Sequence, residues 1–185
     1  MSDDLSELSA MPRGSWTIDP AHSSVGFSVR HLGLTRVRGQ FREFSGTVDL
    51  VEDGGAPVVE AVVDLASIDT NDDRRDGHLR SADFLDAENN PEMRFVSRAV
   101  EEKGGRGILR GELTLNGRTR EVELDARFHG TGTDAYGVTR AGFSADGVIS
   151  RKDFGVDFNV PLDSGGLLIG DKVAIELEIQ LVPRD

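Results

Sequence analysis

The stretch that decides the fold is Leu109-Arg110-Gly111-Glu112-Leu113-Thr114-Leu115-Asn116-Gly117-Arg118-Thr119-Arg120-Glu121-Val122-Glu123-Leu124-Asp125-Ala126-Arg127-Phe128. Leu109, Gly111, Leu113 and Leu115 alternate with Arg110, Glu112 and Thr114, and Val122, Leu124, Ala126 and Phe128 share one face of the second run. Successive side chains of a strand point to opposite faces, so each run reads as a half-buried strand. Asn116-Gly117 sits between them, and both residues tolerate the left-handed backbone of a tight hairpin turn. The pair predicts an antiparallel hairpin.

Working outward, the same period of two recurs. Val25, Phe27 and Val29 form one face of a strand, and a longer stretch runs from near Val37 to Val48 and Leu50. Phe41 and Phe44 are three apart, so a bulge or bend is expected between them. Val59, Ala61, Val63 and Leu65 share a face, Met93 and Phe95 open a strand after Asn89-Asn90-Pro91, and Ala141, Phe143 and Ala145 mark another. Val173, Ile175, Leu177, Ile179 and Leu181 end the series, which makes about eight strands. Only Thr70 to Arg80 breaks the pattern. Thr70 or Asn71 is a candidate cap, and a short helical insert is expected over 72–86. A second short turn or helix is expected at Ser150–Gly155. Gly104-Gly105-Arg106-Gly107 reads as a hairpin turn. Eight antiparallel strands with one apolar face close as a sandwich or as a barrel, and the alternation leaves both open.

The chain has 185 residues, which suits one domain: a lead-in over 1–15, then residues 16–185. Its net charge of −12 makes nucleic acid a poor partner. The absence of cysteine excludes disulfides and thiolate chemistry. No run approaches the roughly 20 apolar residues of a membrane-spanning helix, so no stable membrane insertion is expected. The acidic start lacks the pattern of a secretory signal, and a cytoplasmic location is expected.

Several ordered motifs resemble the YceI-like family of lipid-binding proteins. They are Trp16-Thr17-Ile18-Asp19-Pro20-Ala21-His22-Ser23, Phe27-Ser28-Val29-Arg30-His31-Leu32, Gly39-Gln40-Phe41 and Phe44-Ser45-Gly46. Ser67-Ile68-Asp69-Thr70-Asn71 follows, then Arg75-Asp76-Gly77-His78-Leu79 with Ser81 and Asp83-Phe84, then Ser150-Arg151-Lys152-Asp153-Phe154-Gly155 and Gly170-Asp171. The resemblance spans about residues 15–183. It implies an all-β, eight-stranded antiparallel, lipocalin-like barrel of bacterial type that holds a polyisoprenoid, quinone-type isoprenoid or fatty-acyl chain in an elongated channel. It also motivates a homodimer, because an exposed long strand pairs readily across a two-fold axis.

The expected ligand-binding residues are Phe27, Val29, Phe41, Phe84, Phe95, Leu113, Leu124, Phe128, Phe143, Phe154 and Ile175 along the interior. His22, Arg75 and His78 are the candidates for a head group. The same phenylalanines would equally fill a plain core, and Arg75-Asp76-Gly77-His78 would equally be a structural tie in which Asp76 pairs with a nearby arginine. No catalytic residue, metal or cofactor is assigned. The four histidines lack metal-ligand spacing, and no Gly-x-Ser-x-Gly is present. The rival reading is an enzyme using His22, Arg75, Asp76 or His78 as acid–base groups on a lipophilic substrate.

Overall fold

The computed structural model describes Leu8, residues 11–103 and residues 106–185. The strands are β1 Gly14–Ile18, β2 Ser24–His31, β3 Thr35–Phe41, β4 Phe44–Leu50, β5 Val58–Asp64 and β6 Ile68–Asp69. They continue as β7 Glu92–Lys103, β8 Arg106–Leu115, β9 Arg118–Thr133, β10 Thr139–Ser150 and β11 Ile169–Pro183. All pair antiparallel, and the ring β1-β4-β5-β7-β8-β9-β10-β11 closes through β1 and β11. β2 continues β1 beside β11, β3 pairs with β2, and β6 pairs with β3. The molecule is therefore a closed barrel of eight staves, three of them broken. The ring is closed, but parts of its staves are paired on one side only: β9 over residues 127–133 pairs with β10 alone, and β3 over residues 35–39 with β2 alone.

Each break has a local cause. Pro20 brings no N–H to a ladder, and the Asp19 carboxylate accepts from the Ala21 amide to start a 3-10 turn over Pro20–His22. This turn separates β1 from β2, and it hides the Trp16/Ile18 alternation that makes β1 a strand. Arg42 and Glu43 lie between β3 and β4, which accounts for the spacing of Phe41 and Phe44. Leu65–Ser67 forms a 3-10 turn between β5 and β6.

The hairpin read from residues 109–128 is present. Leu115 pairs with Arg118 across Asn116 (φ 52°) and Gly117 (φ 68°), the left-handed pair that a tight turn needs. Gly104 and Gly105 lie outside the described residues. On either side of them Lys103 pairs with Arg106.

Three boundaries differ from expectation. The helix α1 covers Asp73–Arg80 rather than 72–86, because the Ser81 amide bonds the His78 carbonyl and the chain then turns back on itself. Its cap is Asp72, accepting from the Arg75 amide, and not Thr70 or Asn71; Asn71 has a left-handed φ of 62°. Of the stretch expected as a lead-in, Gly14 and Ser15 belong to β1, and Met11 is 2% exposed beside Trp16. The expected turn at Ser150–Gly155 is a 3-10 helix over Arg151–Phe154, ended by Gly155 at φ 69°.

The interior divides along the barrel axis. Phe41, Leu65, Ile68, Phe84, Leu115, Phe154 and Val156 cluster at the end carrying α1, called the helix end. Met11, Trp16, Leu50, Phe128, Ala141 and Leu181 cluster at the other, the terminal end, where β1 starts and β11 finishes.

Candidate functional site

Between the two clusters the barrel is hollow. The cavity measures about 220 Å³ and is walled by inward-facing residues of β1, β2, β4, β5 and β7–β11. It exceeds the roughly 150 Å³ apolar void known to stay dry and to accept benzene. Only Ser45 and Ser144 among its lining residues have polar side chains, and none is titratable. The Ser144 hydroxyl is 2.7 Å from His129 Nε2. The cavity reaches Leu8, Pro57, Val100 and Leu109 toward the terminal end. Phe41, Phe84, Leu115 and Phe154, which plug the helix end, are not among its lining residues.

Small inward residues make this room. Ala61, Ala126 and Ala145 line the cavity, where a leucine would fill it. Gly111 lets the Phe95 ring lie flat on the wall: a Cβ at Gly111 would sit 2.4 Å from Phe95 Cζ. Consequently Ile175, Leu177 and Ile179 point inward yet remain only half-buried. Leu177 and Ile179, together with Val59, Met93 and Val48, were not singled out as ligand-binding. The alternation marked most of them as inward, but no local signal separates a wall from a plug.

Of the residues expected to bind ligand, Phe95, Leu113, Leu124, Phe143 and Ile175 line the cavity. Phe41 (8% exposed), Phe84 (7%) and Phe154 (1%) belong to the packed helix end. Phe27 lies against Phe41 with ring centroids 5.6 Å apart. Val29 pairs with Val37 and Val173, beyond the cavity. Phe128 is buried beneath Phe143, 5.0 Å away.

The polar candidates lie elsewhere. His22 is exposed in the 3-10 turn, its Nδ1 2.7 Å from Asp19 Oδ2. Asp76 is 3% exposed and accepts from the Thr70 amide (2.9 Å) and hydroxyl (2.5 Å). Arg75 donates from Nε to the Thr70 hydroxyl (2.7 Å) and from Nη2 to the Thr70 carbonyl (2.8 Å). This group ties α1 to β6. His78 meets Asp83 at 2.8 Å and sits edge-on between Phe84 and Phe158, with centroids 5.0 and 5.1 Å away. None of His22, Arg75 and His78 lines the cavity. Among the described residues no three His, Asp or Glu side chains are grouped to hold a metal ion, and no helix is long and apolar enough to cross a membrane.

Both ends have polar fastenings. At the helix end Arg151, 5% exposed, donates to the carbonyls of Gly170, Val156, Phe158 and Ile169; burial pushes its pKa down. Near the terminal end Arg140 bonds Asp19 at 2.5 Å and Asp134 at 2.9 Å, and its guanidinium is the main cause holding both carboxyls below the usual range.

Residues 16–181 match the YceI-like domain. Protein YceI of Escherichia coli O6:H1 is 42% identical over 136 residues, which cover 73% of this chain and 71% of that protein. BcnA of Burkholderia cenocepacia superposes with a TM-score of 0.76 at 24% identity, over 88% of this chain and 98% of that one. A Saccharophagus degradans domain described as polyisoprenoid-binding superposes with a TM-score of 0.70 at 15% identity, over 91% and 98%. The two solved structures share the barrel fold.

Proposed function

The chain belongs to the YceI-like family, and on that premise we propose that it binds one long apolar molecule inside the barrel and releases it chemically unchanged. The occupant is a polyisoprenoid, a quinone-type isoprenoid or a fatty-acyl chain. The observation that carries this reading is the hollow itself, an apolar cavity with no titratable side chain in its wall. Acid–base catalysis needs a group within hydrogen-bond reach of the reacting atoms. Arg75, Asp76 and His78 are engaged with Thr70, Asp83 and aromatic rings instead.

Affinity follows from burial. Each methylene removed from water contributes about 0.8 kcal/mol, so a ten-carbon length contributes roughly 8 kcal/mol before ordering costs. A polar head finds no charged partner in the wall and stays outside it.

The test is extraction of the purified protein with organic solvent and mass spectrometry of the extract, followed by thermal unfolding with geranylgeraniol, a long-chain quinone and palmitate. One apolar molecule per chain and a rise in Tm with at least one probe are expected, because a ligand that binds only the folded state stabilises it. An empty extract together with no Tm rise from any probe would refute the reading. Recovery of a chemically altered probe would replace the carrier with the enzyme.

A further inference from the structure

We propose that the tip of the β2–β3 hairpin is a docking surface for an anionic phospholipid bilayer, with Leu32 and Leu34 entering the interface and Arg30 and Arg36 meeting lipid phosphates. The surface lies outside the cavity, and the inference is independent of the cargo.

The turn itself is the first observation. His31-Leu32-Gly33-Leu34 closes through the Leu34 amide on the His31 carbonyl at 3.0 Å. Leu32 (φ 56°) and Gly33 (φ 69°) repeat the left-handed pair of Asn116 and Gly117 at the same end of the barrel. Asparagine tolerates that conformation; leucine is disfavoured there. At the first turn the side chain earns nothing by folding inward, since Leu32 is 41% and Leu34 74% exposed.

The tip is not isolated. The Leu32 amide bonds the Leu168 carbonyl at 2.8 Å, which joins the turn to a loop that exposes Val160 (42%) and Leu167 (46%). Two adjoining loops thus present exposed aliphatic side chains.

Charge supplies the partner. Arg30 and Arg36 face each other across the strand pair. Like charges directly opposite destabilise a sheet. Arg30 donates to the Leu34 carbonyl and Arg36 to the Ser28 hydroxyl, and neither has an acidic partner among the described residues. Arg38 follows on the same face, 3.6 Å from Glu176. Asp171 turns to Ser150 and the Lys152 amide, and the adjoining loop from Val160 to Leu167 contains a single acid, Asp163. On a chain of net charge −12 this is a local reversal of sign. A second copy would set arginine against arginine. An anionic bilayer satisfies both features, taking aliphatic side chains at its interface and guanidinium groups at its phosphates.

The test is co-sedimentation of the full chain with vesicles of phosphatidylcholine and phosphatidylglycerol in equal parts, and with phosphatidylcholine alone, at low and high salt. The wild type is expected to sediment with the anionic vesicles at low salt and to be released by high salt. Arg30→Gln and Arg36→Gln should each weaken binding about fivefold. Leu32→Asn with Leu34→Ser should weaken it at least about tenfold. Asparagine suits the turn, so this variant keeps its fold, checked by an unchanged or higher Tm and an unchanged circular dichroism spectrum. The proposal is overturned if the wild type stays in the supernatant, if the leucine variant sediments as the wild type does, or if the arginine variants do. A dimer in light scattering that Leu34→Ser dissolves, without vesicle binding, would make the surface a self-interface instead.

Discussion

The two ends of this barrel solve the same problem with different materials. At the helix end, Phe41, Phe84, Leu115, Phe154 and Val156 fill the lumen, and α1 and the segment after Phe154 fold over it. Between that plug and the Met11, Trp16 and Phe128 cluster of the terminal end, the wall is thinned by Ala61, Ala126 and Ala145 and the lumen is open, and Arg140 clamps Asp19 and Asp134 outside it. Closing the sheet is sufficient to satisfy the backbone along either stretch. Stability and capacity can therefore be separated along the axis: the packed clusters carry the apolar energy, and the hollow stretch between them gives some of it up for space.

Truncation gives the largest contrast. Phe154→Ala should cost about 3–5 kcal/mol, because a 1%-exposed ring leaves a new void among packed neighbours. Ile175→Ala should cost only about 1–2 kcal/mol, because one side of Ile175 already faces empty space and has fewer contacts to lose. Urea unfolding of the two variants measures the difference. Equal costs would mean that the plug and the hollow stretch are packed alike.

Enlargement sharpens the same contrast with the opposite sign of volume. Phe41→Trp should cost about 1–3 kcal/mol, since Phe41 is packed against Phe27. Ala126→Leu should cost under about 1 kcal/mol and weaken geranylgeraniol binding about tenfold by filling the lumen. Strong destabilisation by Ala126→Leu would place that residue in a packed core and deny the cavity.

The barrel was legible because its signals are local. Alternation around Asn116-Gly117 and the three-residue step from Phe41 to Phe44 each report a hairpin or a bend within a few residues. What was not legible depends on the whole ring. Phe41 and Phe143 are both inward by alternation, yet one plugs and the other lines, and the difference lies in how far each sits along the axis. Phe95 borders the lumen because Gly111, on the next stave, leaves its ring room to lie flat. Arg75-Asp76-Gly77-His78 is dense in functional groups, but Thr70 and Asp83 engage them, and residues 70 and 83 carry no sign of that pairing in their own neighbourhood.

The smallest effect separates the fastenings of the two ends. Arg140 sits about one-quarter exposed between Asp19 and Asp134, so solvent screens the clamp and its worth is modest. Both carboxyls are held below their ordinary range, chiefly by Arg140. A carboxyl with a depressed folded pKa adds stability that is present above its unfolded value, about 3.9, and lost as the pH falls through the folded one. Arg140→Gln should therefore lower the urea midpoint near neutral pH, and the gap to the wild type should close as the pH drops below about 4. Added salt should narrow the gap in the same direction at neutral pH. His22, 2.7 Å from Asp19, still faces that carboxylate in the variant, so the loss is partial. Phe154→Ala should show no such convergence, because apolar packing does not titrate. If the Arg140→Gln deficit persisted undiminished in acid, the clamp would act through shape and hydrogen bonding rather than charge, and the two ends would differ less in kind than in filling.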